Sequence, residues 1–402
     1  MQSLKELYKI GVGPSSSHTM GPMKIAQKIK ETYPEASSFH VDLYGSLALT
    51  GKGHLTDKIM AEVFAPVACT FGFKGQELPD HPNGLIVSVY QEAEKKAEIE
   101  AYSIGGGEIL FKGDLAQEKI DVYPHDHMND ILRYCDELGL SLYDYVVSFE
   151  GEEIQDYLFK IIDAMFACVE NGLHAQGTLQ GKLQIKRVAN EMYHQALNTH
   201  HELERDRLFI ASYAYAVAEE NADGKHIVTA PTCGASGIVP AVLYFAFNQL
   251  GMKKRDLIKA LAIGGLFGNV VKTNATISGA DGGCQAEVGT ACAMAAAMMA
   301  WIDELNNSLI AYAAEMGLEH NLGLTCDPVG GYVQIPCIER NALAALRAID
   351  AAMLAKQLGY LRKNKVSFDV VVNVMKETGK DLNVAYKETS LGGLAKGFTY
   401  ED

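Results

Sequence analysis

Hydrophobic and polar residues alternate in short stretches along the first third of the chain. Residues 39–44 (FHVDLY) place an apolar side chain at every second position, which is the period of a half-buried β-strand. The same kind of pattern predicts further strands over 85–90 and 97–104, and two helices over 23–33 and 55–64. The chain up to residue 130 is therefore predicted to be an α+β region with helices packed on a small sheet.

From residue 150 onward the spacing of apolar residues becomes helical. Between 158 and 169 they recur at i, i+3, i+4, i+7, i+8 and i+11, which is one face of an α-helix. Further helices are predicted over 206–220, 257–271, 287–305, 341–358 and 367–378. Gly379 is expected just past the end of the last of these. We therefore expect a multi-domain chain, with an N-terminal α+β domain (1–145) followed by an all-α catalytic domain (150–402).

Composition and charge limit the kinds of molecule that this protein is expected to bind. Hydrophobic residues make up 48% and charged residues 21% of the 402 positions, which excludes a mainly disordered chain. Fifty acidic against 35 basic residues give a net charge of −15. Such a surface repels phosphate backbones and anionic lipid, so we expect neither nucleic acid nor membrane as partner. A small-molecule substrate remains the expected ligand.

The cysteines carry the most specific chemistry. Eight in 402 residues are too few for a disulfide scaffold, and the N-terminus lacks an export signal, so reduced thiols in the cytoplasm are expected. Cys284, Cys326 and Cys337 each stand beside glycine or proline in predicted loops. Their spacing does not indicate zinc, and each alone is typical of a small buried residue. Together, three thiolates suit an iron–sulfur cluster with one open iron, a Lewis acid for dehydration. The cysteines at 69, 135, 168 and 292 are interpreted as structural.

Three polar loops contain further candidate residues. The first, GPSSSHTMGP at 13–22, is either a helix N-cap or a site for a carboxylate or phosphate. His54 lies in GKGHLTD and His81 in HPNG, both in loops where the imidazole is accessible, although a single histidine is more often structural. The glycine run at 105–107 is interpreted as a tight turn and not as a dinucleotide loop.

Four strings of this sequence resemble one enzyme family. GPSSSHTMGP (13–22), YGSLALTGKGHLTD (44–57), SGADGGCQAEVG (278–289) and LTCDPVGGYVQIPCIERNA (324–342) are similar to the iron–sulfur-dependent L-serine dehydratases, also called L-serine ammonia-lyases. The resemblance extends to TSLGGL at 389–394. It implies a smaller β-containing domain and a helical catalytic domain joined in a single chain.

The resemblance also implies a reaction and a cofactor. A 4Fe–4S cluster on Cys284, Cys326 and Cys337 would bind the carboxylate and hydroxyl of L-serine, and a base would remove the Cα proton. Loss of water would then lead to pyruvate and ammonia, a step of amino-acid degradation that feeds gluconeogenesis. No pyridoxal phosphate is expected, and an exposed iron would make the enzyme oxygen-sensitive.

Individual roles follow from the matching motifs. His81 and His54 are the candidate bases, with His81 ranked ahead. Asn83 is a further candidate for substrate binding, and Lys272 either balances charge at the site or is a capping or surface residue. The carboxylate or amine of the substrate is expected to contact the polar loop, through Ser15, Ser16, Ser17, His18 and Thr19.

Two departures from the family pattern leave alternatives open. Many members of the family have a cysteine close to the C-terminus. The last cysteine here is Cys337, so a carboxylate of the C-terminal tail is the candidate to replace the missing thiolate. Cys233 stands where relatives commonly have asparagine. The alternatives are an iron–sulfur redox or sensor protein with Cys233 as fourth ligand, a lyase acting on L-threonine, and a zinc-bound or metal-free binding protein. A homodimer is expected, formed through a sheet edge or the alanine-rich helices.

Overall fold

The computed structural model describes residues 1–92, 94–114 and 120–399. Strands and helices alternate in its N-terminal region: β1 (Ile10–Val12), α1 (Gly21–Thr32), β2 (Ser38–Tyr44), α2 (Gly45–Thr50), α3 (Thr56–Phe64), β3 (Ala68–Lys74), β4 (Gly84–Gln91), β5 (Glu94–Gly105) and β6 (Glu108–Phe111). A mixed sheet has the order β3-β2-β4-β5-β6. β2 and β3 are parallel, and the other neighbours are antiparallel.

Alternation along β2 sets which face of the sheet is buried. Phe39, Val41 and Leu43 point inward and are almost fully buried, while the residues between them are partly exposed. Phe39 stacks on Phe64 of α3 with ring centroids 4.0 Å apart, and Ile25 of α1 joins the same core. The predicted strands and helices of this region are confirmed, and the glycine run at 105–107 is the turn between β5 and β6.

The second region is built almost entirely from helices. In chain order it contains α4 (Met128–Leu138), α5 (Leu142–Glu150), α6 (Ile154–His174), α7 (Ala189–Asn198), α8 (Glu202–Ala222), β7 (His226–Val228), α9 (Ile238–Asn248), α10 (Lys254–Asn274), α11 (Gly279–Gly282), α12 (Thr290–Ile302), α13 (Asn307–Glu319), α14 (Cys337–Leu361), α15 (Phe368–Asp381) and α16 (Gly393–Gly397). The predicted fold class, α+β followed by a helical region, is confirmed.

Helix α12 lies at the centre of the helical region. All of its residues from Thr290 to Ala300 are buried, because the helix is apolar on every face and other helices surround it. Small residues on α10 allow the close approach: a Cβ at Gly264 would lie 2.7 Å from the Met298 sulfur, and one at Gly268 would lie 2.7 Å from the Met294 sulfur. This close packing encloses α12 within the helical region.

The N-terminal residues connect the two regions. β1 pairs antiparallel with β7 of the helical region, and the Tyr8 hydroxyl donates to the carbonyl of Leu261 at 3.0 Å. Leu4 and Leu7 are buried in the helical core. The polar loop that follows β1 is thereby fixed against the helices. The division into domains 1–145 and 150–402 stays a prediction.

Two local expectations were wrong. Gly379 lies inside α15 and does not end it; a Cβ there would approach the Gly282 Cα to 3.1 Å, so the glycine permits close packing. Strand β7 was not predicted, because three residues without alternation carry no strand signal. None of the helices in the described residues has the length and hydropathy needed to cross a bilayer.

Candidate active site

The three loop cysteines meet at one cavity. Cys284 immediately precedes the π-helical turn Gln285–Gly289 that leads into α12, Cys326 lies in the loop after α13, and Cys337 is the first residue of α14. All three are buried and line the same cavity. Backbone N–H groups at the start of a helix favour thiolates. The chain therefore places three sulfur ligands around a common space.

The thiols interact with one another and with a cation. A hydrogen bond from the Cys326 thiol and the nearby Arg340 guanidinium lower the pKa of Cys284. The same hydrogen bond and burial raise the pKa of Cys326, and burial raises that of Cys337. Burial lowers the pKa of Arg340, but the charge of the neighbouring thiols outweighs this effect, so the guanidinium stays charged. Three thiols beside one fixed cation can hold a metal centre, because a metal binds them as thiolates and displaces their protons.

Other residues along the cavity come from both regions of the chain. Among them are Ser15, His54, Gly234, Glu287 and Glu388. Glu287 accepts a hydrogen bond from the Thr232 hydroxyl at 2.7 Å, and burial raises the pKa of Glu287 to about 7. Cys284, Glu287 and Cys326 offer ligand atoms within 4.8 Å of one another.

Two stacked histidines belong to the α+β region, and one of them, His54, lines the cavity. The rings of His18 and His54 lie with centroids 4.5 Å apart and are fully buried. The Nδ1 atom of His54 donates to the Thr50 carbonyl at 3.0 Å, so in the neutral ring the lone pair is on Nε2. Burial lowers the pKa of His54 to about 4. At neutral pH this imidazole is an uncharged base.

His18 has the complementary arrangement. Its Nε2 atom lies 2.8 Å from the Ser46 hydroxyl oxygen, and Ser46 in turn donates to the Glu388 carbonyl at 3.3 Å. This chain assigns the proton to Nε2 and the lone pair to Nδ1. Burial and the neighbouring His54 lower the pKa of His18. Both imidazoles are therefore neutral at pH 7.

The carboxyl group of Glu388 is close to one nitrogen of each ring. Its Oε1 atom is 3.7 Å from Nδ1 of His18 and 3.6 Å from Nε2 of His54. Burial and the carboxyl group of Glu287 raise the pKa of Glu388 well above its ordinary value. The three side chains also offer ligand atoms within 4.8 Å of one another, so this group can receive a cation.

The C-terminal segment carries Glu388 into the cavity. The amide of Cys326 donates to the Tyr386 carbonyl and the amide of Glu388 donates to the Cys326 carbonyl, both at 2.8 Å. Further along, the Leu394 amide donates to Asp327 Oδ2 at 2.7 Å. The expected substitution of a missing cysteine by a tail carboxylate concerns residues 400–402, which lie outside the described residues.

The polar loop serves partly as a cap. The Ser15 hydroxyl accepts from the His18 amide at 3.1 Å, and the Thr19 hydroxyl donates to the His54 carbonyl at 2.7 Å. Ser16 and Ser17 are buried in the π-helical turn that precedes α1. Of these hydroxyl residues, Ser15 lines the cavity.

Outside the polar loop, three predicted site residues are not among the residues that line this cavity. His81 accepts from the Asn83 amide at 3.0 Å and is partly exposed. The buried side-chain amide of Asn83 has no hydrogen-bond partner among the described residues. Lys272 pairs with Glu108 at 3.1 Å and donates to the Glu6 carbonyl.

Cys233 also lies beside the site without lining it. Its sulfur packs 3.6 Å from the Met20 sulfur, while the next residue, Gly234, faces the cavity. The four cysteines interpreted as structural lie in β3, α4, α6 and α12. The structure thus separates three cavity cysteines from the other five.

Sequence reasoning assigned no role to three residues of this site. Glu287 follows Cys284 by three positions and Arg340 follows Cys337 by three, a spacing that brings side chains to one face of a helical segment. That spacing was a usable signal. No such signal existed for Glu388, because its position in the cavity depends on the C-terminal segment running back along Cys326.

Comparisons with known proteins identify the family of this chain. The family model described as serine dehydratase alpha chain matches residues 52–395, and that of the serine dehydratase beta chain matches residues 3–66. The chain is 38% identical to L-serine dehydratase of Haemophilus influenzae and 39% identical to L-serine dehydratase 1 of Escherichia coli, in each case over 98% of this chain and 99% of the relative. It is 37% identical to L-serine dehydratase of Streptomyces coelicolor over 98% of both chains. The chain therefore belongs to the serine dehydratase family.

Proposed function

We propose that this protein is an L-serine ammonia-lyase that converts L-serine to pyruvate and ammonia. Relatives named L-serine dehydratase match the chain over nearly its whole length. The observation that carries the proposal is the cavity itself, where three buried cysteines face a neutral, buried histidine. A Lewis-acid site and a base in one enclosed space are what β-elimination of water from a hydroxy amino acid requires.

The donor set fits a 4Fe–4S cluster. Cys284, Cys326 and Cys337 supply three thiolates, one fewer than the four that saturate such a cluster. A cluster bound there would supply an open Lewis-acidic iron for the hydroxyl and carboxylate of the substrate. Arg340 would offset part of the negative charge of the thiolates. The position of Cys233, packed on Met20, favours three ligands over four.

His54 is our choice for the base that removes the Cα proton. Its Nε2 atom is buried without a hydrogen-bond partner among the described residues, and the ring lines the cavity. The bond from Nδ1 to the Thr50 carbonyl holds the ring in the tautomer that can accept a proton at Nε2. The ranking of His81 ahead of His54 is therefore reversed in this proposal.

The polar loop is proposed to bind the carboxylate end of the substrate. Ser15 lines the cavity, and the buried serines beside it precede a long helix whose N-terminal end favours anions. Asn83, whose buried amide lacks a partner, stays a candidate for a further substrate contact.

Pyridoxal phosphate has no part in this proposal. Among the described residues that line the cavity there is no lysine, the residue with which the aldehyde of that cofactor forms a Schiff base.

We also propose a cytoplasmic, oxygen-sensitive homodimer. All eight cysteines are free thiols, which supports a reducing compartment.

The experiment is an anaerobic assay with two substrates. Protein purified without air is supplied with L-serine or L-threonine, and pyruvate or 2-oxobutyrate is measured. We expect a kcat/KM for L-serine well above that for L-threonine, because the extra methyl group of threonine must fit into an enclosed cavity. Faster turnover of L-threonine would identify the alternative lyase. If neither pyruvate nor 2-oxobutyrate were formed, the proposal would be contradicted.

A further inference from the structure

The backbone at Glu388 is held in an unusual conformation. Its φ angle is +58°, in the left-handed region that non-glycine residues seldom occupy because the conformation is strained. The backbone pairing with Cys326 and the contact between Leu394 and Asp327 hold it there. The chain thus stabilises a strained position whose effect is to place a carboxylate inside the cavity.

That carboxylate has no cationic partner of its own. In the described part of the chain no lysine or arginine pairs with Glu388, and its charged neighbours are the acidic Glu287, Asp281 and Cys284. A buried carboxylate is stable as an anion only when a positive charge or several donors compensate it. A cationic ligand would therefore complement this carboxyl group.

The surrounding side chains offer acceptors where that cation would lie. Hydrogen bonds to Ser46 and to the Thr50 carbonyl leave lone pairs on Nδ1 of His18 and Nε2 of His54. These two atoms are 3.7 and 3.6 Å from Glu388 Oε1. The Nδ1 atom of His18 also faces the Ser15 hydroxyl, at the long distance of 3.4 Å. An alkylammonium group has three donors and no acceptor, which complements such a group of acceptors.

We propose that Glu388, together with the Nδ1 atom of His18, binds the α-ammonium group of the substrate and so selects amino acids over hydroxy acids of the same shape. This inference rests on the proposed function. The ammonium nitrogen is bonded directly to Cα, so fixing it beside Glu388 brings the Cα–H bond to the neighbouring Nε2 atom of His54. Binding of the amino group and removal of the proton are then served by adjacent side chains.

A pair of ligands isolates this contact. L-Serine and 3-hydroxypropanoate share a carboxylate and a β-hydroxyl and differ in the α-ammonium group. Binding of each is measured by equilibrium dialysis and by steady-state kinetics, with 3-hydroxypropanoate as a competitive inhibitor. The proteins are the anaerobic wild type, Glu388→Gln, which removes the charge at constant size, and Glu388→Asp, which keeps the charge. Glu315→Gln is the matched control, because Glu315 is also a buried acid with a raised pKa but lies away from the cavity.

We expect Glu388→Gln to weaken L-serine binding by about 10- to 100-fold, the range for losing a charged hydrogen-bond partner. Binding of 3-hydroxypropanoate should be unchanged, Glu388→Asp should recover part of the L-serine affinity, and Glu315→Gln should match the wild type. Equal losses for both ligands would show that Glu388 only maintains the shape of the site and would overturn the inference. Unchanged L-serine binding with a lower kcat would overturn it too.

The same measurements distinguish failure of this inference from failure of the proposed function. A wild type that binds L-serine but forms no pyruvate would contradict the lyase, while the ratio between the two ligands would still test Glu388. Iron and sulfide content and thermal stability are compared across the variants. These measurements show whether a loss of binding comes from a damaged fold.

Discussion

The Oε1 atom of Glu388 lies 3.6 Å from the Nε2 atom of His54. One residue follows α2 in the α+β region, and the other belongs to the segment that follows α15, near the opposite end of the chain. Both side chains line the cavity that the three cysteines also line. Two distant parts of the sequence therefore meet at the site, and this contact gives the histidine a carboxyl group as its neighbour.

The identity of the base can be tested by two matched substitutions. His54→Asn removes the proposed proton acceptor and should lower kcat for L-serine by about 10²- to 10⁴-fold. His81→Asn removes a partly exposed ring outside the cavity lining and should leave most of the activity. Exchange of the Cα hydrogen of L-serine with deuterated solvent should follow the same order. The opposite ranking would identify His81 as the base.

Cluster binding can be assigned to individual thiols. Serine in place of Cys284, Cys326 or Cys337 should sharply lower the iron and acid-labile sulfide content of protein purified without air. Cys233→Ser should keep both, because that sulfur packs on Met20 instead of lining the cavity. Loss of the cluster in Cys233→Ser as well as in the other three variants would favour the redox or sensor alternative.

Burial of the His54 imidazole should make the stability of the protein depend on pH. The pKa of His54 is about 4 in the folded chain, whereas an unfolded histidine titrates near 6.5. Below a pH of about 6.5 the imidazole is protonated in the unfolded chain but stays neutral in the folded chain. The free energy of unfolding therefore decreases as the pH falls toward about 4. We expect the Tm of the wild type to fall more steeply over this window than that of His54→Asn.

The comparison between the two proteins is what isolates this effect. Buried carboxyl groups such as Glu287 have raised pKa values and shift stability in the opposite direction, but they are common to both proteins. Parallel Tm curves, recorded by differential scanning calorimetry, would show that His54 is not buried in its neutral form.

A glycine beside the base offers a geometric test. A Cβ added at Gly53 would lie 2.6 Å from the carbonyl carbon of Gly331, so Gly53→Ala should push the His54 loop away from the loop that follows Cys326. A displacement of about 1 Å costs on the order of 10²-fold in rate. Gly75→Ala is the control, because nothing lies within 4 Å of its Cβ position. Equal activity of both variants in the pyruvate assay would contradict the arrangement described.

The sequence predicted the parts of this protein that depend on local patterns. Alternation along residues 39–44 identified β2, and helical spacing at 158–169 identified α6, because one buried face imposes its own period on the chain. The cavity cysteines were separated from the structural ones by their position beside glycine or proline in loops. These three cysteines line one cavity, although Cys337 begins α14 and does not lie in a loop; their role as ligands stays a prediction.

Features that depend on long-range packing were not predictable in this way. The pairing of β1 with β7 joins segments more than 200 residues apart in sequence, and nothing local marks it. Gly379 looked like a helix end, but it serves contact with Gly282. Glu388 reaches the histidines only because the C-terminal segment returns along Cys326. A linear pattern contains no distances of this kind.

The claim on which the account rests is that three sulfur atoms hold an iron–sulfur centre in the cavity. The direct measurement is the iron and acid-labile sulfide content of the wild-type chain, purified and assayed under strict exclusion of air. We expect about four of each per chain, with L-serine turnover that decays together with them on exposure to air. Full turnover by protein that contains neither iron nor sulfide would contradict the account.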